Sequence, residues 1–474
     1  MGNQPSTPLQ TCLNAICAGR AECVAYPSTP LYQLAWVKPF NLDVPVEPVA
    51  VIRPQSAQEV AEAVKCAESV GAKVQAKSGG HSYANYGLGG EDGHVAIDLV
   101  NLQNFALDPQ TWEVTAGAGT RLGELDKRMH NAGNRAVAHG VCPGVGIGGH
   151  ATIGGLGPSS RMWGTCLDHV VEVEVVTSGG NIVRANEQEN SDLFWALRGA
   201  GASFGIITEF KLRTHPEPGA VVQNTYSFSF GRHADMAPIY ESWQALISDP
   251  NLDRRFASEF VVQPLGIVIT ATFFGTQAEF AATGIPDRIP SGGSLSGVVN
   301  DWLGSLVHEA GNEALYLGDI PTAFYSKALA FAPEDLLGGA SIRDLFSYID
   351  RTDKGTLLWF IIFDASGGAV NDVPLDATAY PHRDKVLYYQ SYAVGLGSLP
   401  ASTKSFLEGV HTEIERGAGA GANSTYAGYV DPAIPRAQAE AAYWEGHVPR
   451  LRQIKGIWDP QDTFSNPQSV RVQG

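Results

Sequence analysis

Two glycine-rich segments each carry one reactive side chain, 61 residues apart. The first reads Lys77-Ser78-Gly79-Gly80-His81-Ser82-Tyr83. The second reads Cys142-Pro143-Gly144-Val145-Gly146-Ile147-Gly148-Gly149-His150. A glycine backbone approaches a bulky ligand closely because no side chain intervenes, and its amides can face a phosphate. A His and a Cys offered by two such loops can hold one cofactor from two sides. A lone His near a turn, or a lone buried thiol, is most simply structural. The paired glycine context sets His81 and Cys142 apart from that reading.

A chain of 474 residues has room for two or three domains of roughly 100–200 residues. Hydrophobic residues make up 44% and charged residues 17%, enough apolar material for sizeable cores. The net charge of −17 repels phosphate backbones and anionic membranes, which argues against nucleic-acid or membrane partners. The apolar run Leu357–Phe363 spans seven residues. A spanning helix needs about 20.

Residues 49–214 alternate strand and helix patterns. Val49–Ile52 reads as a strand, and Ser56 with Glu59 as a capping box. Val60, Val64 and Ala67 then mark one helical face, and Gly71 a stop. Lys73–Ala76 reads as the strand that delivers the His81 loop. A helix over 122–132 precedes the Cys142 loop, and strands follow over 170–177 and 206–212. His215-Pro216-Glu217-Pro218-Gly219 breaks the pattern. Beyond it, strands such as 266–274 and 357–364 mix with long helices, and Gly417–Gly421 reads as a linker of small residues. The expected fold is α+β in two domains. Residues 1–218 and the tail 426–474 form one, and residues 219–425 form the other around an antiparallel sheet.

Gly144-x-Gly146-x-Gly148-Gly149 approximates a dinucleotide fingerprint. The ordered strand, helix and acidic residue about 20 positions on are missing, so nicotinamide binding is not favoured. No acidic pair stands out for a glycosidase, and no metal site is read from the sequence. Cys12, Cys17, Cys23, Cys66, Cys142 and Cys166 are buried thiols of a cytosolic protein or the disulfide framework of a secreted one. The N-terminal clustering and the sequon Asn423-Ser424-Thr425 favour export. Residues 1–11 are polar and lack the apolar core of a signal peptide.

The pairing of Gly-Gly-His-Ser-Tyr with Cys-Pro-x-x-Gly-x-Gly-Gly resembles the flavin oxidases of the berberine-bridge-enzyme type, within the vanillyl-alcohol-oxidase superfamily. Asp192–Gly199, Ala379–Asp384 and Asp459-Pro460 extend the resemblance over nearly the whole chain, toward the fungal gluco-, xylo- and chito-oligosaccharide oxidases. The resemblance implies FAD bonded through His81 to the 8α methyl and through Cys142 to ring carbon six. Ser78, Gly79, Gly80, Ser82, Val145, Gly146, Gly148, Gly149, His150 and Ile206 complete the implied cofactor site. It implies Cys12–Cys66 and Cys17–Cys23 disulfides, with Cys166 left over.

Tyr426-Ala427-Gly428-Tyr429-Val430-Asp431 is similar to the family's Tyr-x-Asn-Tyr-x-Asp segment, with Gly428 in place of Asn. Tyr429 falls on the implied catalytic base and Asp364 on its acidic partner. An ordinary Tyr, with a pKa near ~10, needs such help. Tyr83 is a second implied hydroxyl, and Gln390 and Tyr426 are implied sugar contacts. Gly155-Leu156-Gly157-Pro158 and Ile362 depart from the family pattern. The implied activity is oxidation of the anomeric hydroxyl of a reducing-end oligosaccharide to a lactone, with O2 reduced to hydrogen peroxide by a secreted monomer. The alternative is an oxidase of an alcohol or alkaloid secondary metabolite.

Overall fold

The computed structural model describes residues 7–229, 231–312, 320–395, 397–419 and 422–472. Ala420 and Gly421 of the small-residue linker lie outside them.

Pro8–Cys17 is a helix started by a Thr7–Gln10 capping box. Disulfides join Cys12 to Cys66 and Cys17 to Cys23, as the resemblance implied. The first closes the longer loop and by chain entropy contributes about 4 kcal/mol. It pins the N-terminal helix to helix Ala57–Glu68. Ser56 caps that helix by accepting from the Glu59 amide at 3.3 Å. The Glu59 carboxylate accepts instead from the Gln55 amide at 2.9 Å and from Arg20 at 2.6 Å, so the expected reciprocal box is only half formed. Arg20 competes successfully because a charged donor outweighs a neutral amide.

Strands Ala50–Ile52, Val95–Asp98 and Val74–Lys77 pair in parallel, with Val24–Ala25 antiparallel on one edge. Ala50–Ile52 and Val95–Asp98 are buried throughout, which is why they lack alternation. A second, antiparallel sheet runs in the order Phe105–Leu107, Glu113–Gly117, Ile206–Arg213, Val170–Thr177, Asn181–Asn186. One hydrophobic core joins both sheets. Val64, Val74, Val114, Val173 and Phe210 share it with Val430, Trp444, Leu451, Phe464 and Val470 from the end of the chain. The break after residue 214 is not featureless: His215–Pro216 pairs with Arg135–Ala136.

Seven antiparallel strands form the large sheet. Their order is Ser294–Asn300, Val221–Ser229, Gly266–Phe274, Phe256–Gln263, Trp359–Ala365, Leu387–Gly395, Ala323–Phe331. One face is packed under helices Ala237–Ile247, Gly339–Arg351 and Ala401–Gly417 by Tyr240, Trp243, Phe260, Phe346, Phe363 and Phe406. Strand alternation turns Glu259, Ile362, Asp364 and Gln390 to the opposite face. Leu357 and Leu358 fall outside the strand their apolarity suggested. They are 80% and 50% exposed, and the strand begins at Trp359, the first residue to enter the core.

Candidate active site

The two glycine segments interlock. The Ser78 hydroxyl donates to the Ala118 carbonyl at 2.6 Å. A Cβ on Gly79 would meet the Gly146 amide nitrogen at 2.3 Å, and one on Gly146 would meet Ser78 Oγ at 2.0 Å. Any side chain would wedge the loops apart. The second loop is tied down by Leu122 N–H to Val145 O at 2.9 Å and Ile147 N–H to Thr120 O at 3.0 Å. Gly80 takes φ +79° over the aliphatic part of Lys77, whose ammonium donates to Val37 O at 3.0 Å. Burial pushes the Lys77 pKa down. Between these loops His81 Nδ1 and Cys142 Sγ stand 4.0 Å apart, both half-buried.

The other implied cofactor residues divide. Ser82 Oγ accepts from the Tyr86 amide at 3.1 Å and shapes the turn after His81. Gly148 packs closely on Ala118 O, whereas Gly149 is exposed with nothing near an added Cβ. Val145 is half-buried against the first core. His150 turns its Nε2 to the Gly140 amide at 2.9 Å. Burial, then nearby His139, push its pKa down to about 3, so the ring stays neutral as an acceptor. Ile206 is 1% exposed, opposite Val176 in the second sheet.

A tyrosine group stands on the far side. The Tyr429 hydroxyl donates to Asp364 Oδ2 at 3.4 Å. The Tyr83 and Tyr429 rings are parallel within 9°, with centroids 6.3 Å apart. Tyr83 donates to Gln390 Oε1 at 3.4 Å. Loop, sheet and C-terminal segment thus converge: Tyr83 follows His81, Tyr429 lies in the C-terminal segment, and Asp364 and Gln390 sit on neighbouring strands. Tyr426 is buried behind Tyr429, edge-on at 5.1 Å, and accepts from the Gly155 amide at 2.9 Å. The resemblance implied a sugar contact for Tyr426; its ring is buried and its hydroxyl is engaged by the Gly155 amide, which instead lets it support Tyr429 from the protein side. Gly428 has a steric reason, since a Cβ there would lie 2.2 Å from the Tyr426 ring.

Burial, followed by the nearby Asp364 and Tyr83, pushes the Tyr429 pKa well up. Burial, followed by Glu259, pushes the Asp364 carboxyl well above the usual carboxylate range. Tyr83 is pushed up by burial as well. Tyr429 is therefore protonated at rest. It can take a proton only if it passes its own onward, and Asp364 is the acceptor within reach.

Sequence reasoning missed Glu259, the register partner of Asp364. It also missed the aromatic wall behind Tyr83. Phe40 stacks on Tyr83 at 5.9 Å and Phe324 lies 4.4 Å from it, followed by Tyr392 and Phe360. Asn41 binds the Tyr83 and Phe324 carbonyls together at 2.7 and 3.0 Å. No motif announces these residues; only strand register and loop packing gather them.

Residues 48–186 match the FAD binding domain family, and residues 425–471 the berberine and berberine like family. The chain is 37% identical to the FAD-linked oxidoreductase sorD of Penicillium rubens over 98% of its own length and 99% of the relative's. It is 34% identical to the xylooligosaccharide oxidase of Thermothelomyces thermophilus, covering 91% and 89%. Among solved structures it superimposes on the glucooligosaccharide oxidase of Acremonium strictum with a TM-score of 0.88 at 28% identity, covering 99% and 100%. That enzyme carries a 6-S-cysteinyl, 8α-N1-histidyl FAD. Identity at this level over nearly the full length places this protein in the berberine-bridge-enzyme-type family of FAD-linked oxidases.

Proposed function

We propose that this protein is a secreted carbohydrate oxidase that converts the anomeric hydroxyl of reducing-end oligosaccharides to a lactone, with O2 reduced to hydrogen peroxide. The observation that carries the reading is the Tyr429–Asp364 contact facing the His81–Cys142 pair. The named activities of the xylo-, chito- and gluco-oligosaccharide relatives support the substrate class.

The residues present fit FAD. A thiol and an imidazole 4.0 Å apart suit two attachments to one ring edge, and the side-chain-free surface at Gly149 leaves room for a ligand beside the backbone. His81 and Cys142 attach the cofactor covalently in this reading. Ser78, Gly79, Gly80, Ser82, Val145, Gly146, Gly148 and Gly149 shape the cradle, with His150 and Ile206 supporting it from behind. FAD, when bound, supplies the hydride acceptor and hands the electrons to O2. Tyr429 takes the anomeric hydroxyl proton while Asp364 takes the proton of Tyr429. Tyr83 and Gln390 orient the sugar ring, and Tyr426 holds Tyr429 in place.

The segments 1–218 and 426–474 form the flavin domain, and 219–425 the substrate domain, in line with the two cores. The paired disulfides and the exposed Asn423 of the sequon support export as a glycoprotein. A second reading, oxidation of an alcohol-bearing secondary metabolite, draws support from apolar Ile362 and Phe360 beside Tyr392 on the strands flanking Gln390.

The test is peroxide release with cello- and xylo-oligosaccharides against aromatic and alkaloid alcohols. Tyr429→Phe should retain flavin and lose flavin reduction by about 10²–10⁴-fold. Normal reduction in that variant removes Tyr429 from the mechanism. Turnover confined to the alcohols moves the assignment to the second reading.

A further inference from the structure

Tyr83 and Tyr429 stand parallel, yet they come from separate segments of the chain. Strand Ala323–Phe331 relates the two. It lies at the edge of the seven-stranded sheet, so one side of its backbone is open to partners other than a strand.

The first partner is the segment Phe40–Leu42. The Leu42 amide donates to Thr322 O at 2.8 Å, and the Thr322 amide donates to Phe40 O at 3.2 Å. The Asn41 side chain then stands in for a neighbouring strand. Its Oδ1 accepts from the Phe324 amide at 3.2 Å, and its Nδ2 donates to Phe324 O at 3.0 Å. The same Nδ2 donates to Tyr83 O at 2.7 Å, and Oδ1 also accepts from the Asp43 amide at 2.9 Å. Asn41 is 2% exposed, and all its hydrogen-bonding capacity is used. Asn85, two residues after Tyr83, fixes it from the loop side. Its Oδ1 accepts from the Phe40 and Asn41 amides at 2.9 and 3.2 Å, and its Nδ2 donates to Asn41 O at 2.8 Å.

The second partner is the segment that carries Tyr429. The Ala330 amide donates to Ser424 O at 2.9 Å. Lys327 pairs with Asp431 Oδ2 at 2.7 Å, and only 12% and 10% of the two side chains are exposed. Asp431 is held on its other sides. Its Oδ1 accepts from the Ala433 amide at 2.9 Å, its carbonyl accepts from Gln468 at 2.7 Å, and its amide donates to the Tyr443 hydroxyl at 3.3 Å. Tyr429 sits two residues before this anchor.

We propose that the edge strand Ala323–Phe331 is the template that sets the two tyrosine rings across the site, with Asn41 the positioning residue for Tyr83 and Lys327 the positioning residue for Tyr429. The inference rests on the roles of Tyr83 and Tyr429 given under the proposed function. Its two ties act on different steps. Asn41 governs where the Tyr83 hydroxyl meets the sugar and Gln390, which is a matter of binding. Lys327 governs how Tyr429 lines up with Asp364 and the reacting hydroxyl, which is a matter of rate.

Anaerobic flavin reduction of the holoprotein by cellobiose separates the two. Asn41→Ala should weaken apparent binding by about tenfold, the worth of one hydrogen bond. Lys327→Met should leave binding near that of the wild type and lower the limiting reduction rate by about 10²-fold, as a misplacement of the order of 1 Å does. Lys327→Arg should restore most of the rate. Adding Asp431→Asn to Lys327→Met removes the stranded charge without remaking the tie, so Tm should recover and the rate should not. In a Tyr83→Phe background, Asn41→Ala should cost less than in the wild type, because the hydroxyl it places is gone. Crystal structures of the holoproteins read the geometry without turnover. Asn41→Ala should displace the Tyr83 ring, and Lys327→Met the Tyr429 ring.

A rate that Asp431→Asn restores together with Tm would make Lys327 a stability residue only and overturn the proposal. An Asn41→Ala loss of equal size with and without the Tyr83 hydroxyl overturns it too, as do rings that stay parallel and 6.3 Å apart in both single variants. If Asn41→Ala does not accumulate as folded flavoprotein, Asn41→Asp, which keeps the acceptor contacts and loses the donors, takes its place in the same comparison. Asp431→Asn alone does so for Lys327→Met. If the wild type turns over no carbohydrate, the proposed function fails, while the ring positions in the variants still test the template.

Discussion

Lys455 is the sharpest test of how the C-terminal return holds the flavin loop. Its side chain is fully buried. The ammonium donates to Ser203 O at 2.6 Å, Phe464 O at 2.9 Å and Asp459 Oδ2 at 2.6 Å, and lies 3.1 Å from Asp462. The segment so clamped sends Thr463 O to the Val74 amide at 2.9 Å, on the strand that leads into Ser78 and His81. Lys455→Met would leave the Asp459 charge buried without its cation. Removing one partner of a buried pair costs about 3–5 kcal/mol. Two carbonyls would also lose a donor, at about 1–3 kcal/mol each if they find no water. Asp459 keeps the amides of Thr463 and Phe464 at 2.8 and 2.9 Å, which offsets part of this.

A net loss of about 4 kcal/mol is reasonable on those terms. With about 2.1 cal/mol/K of unfolding entropy per residue over roughly 270 residues, it lowers Tm by about 7 °C. Thermal unfolding of the purified protein, with covalent flavin counted in parallel, measures both consequences. Flavin incorporation should fall along with Tm. Adding Asp459→Asn should recover part of the loss, because the stranded charge is gone. A shift below about 2 °C, or a double variant less stable than the sum of the singles, would refute the argument that a desolvated charge is what the clamp controls.

Two further predictions concern the site. His81→Ala and Cys142→Ala should each leave flavin attached through the other residue. The double variant should release all its flavin on acid precipitation, as followed by the visible spectrum of the supernatant and peptide mass. His150, held at about 3, is neutral in the folded protein at every pH where the unfolded chain begins to protonate near ~6.5. Its contribution to stability is therefore flat above that value and is lost progressively as pH falls from about 6.5 toward 3. His150→Gln, which can still accept from Gly140, should narrow the drop in Tm between pH 7 and pH 5; an unchanged drop would show that other groups dominate.

The local elements of the first 214 residues were readable because each is set by its own neighbours. Ser56 caps, Val60, Val64 and Ala67 face inward, and Gly71 turns with φ +72°. The His81 and Cys142 loops announced themselves because close backbone approach permits only glycine at Gly79 and Gly146. Tyr429 and Asp364 came from resemblance, since neither has a local pattern that separates a functional tyrosine or carboxylate from a packed one. Glu59 and Leu357 were misjudged where a distant arginine or the edge of a core overrode local preference. Glu259 was invisible for a stronger reason. It lies more than one hundred residues from Asp364 in the chain, and what pairs them is antiparallel register, which places two carboxyls side by side only after seven strands have aligned. Residue type and spacing determined where a cofactor could be gripped. Long-range register and burial decided which groups face one another in the site, because the interaction of charges in a desolvated site depends on distances the sequence does not contain.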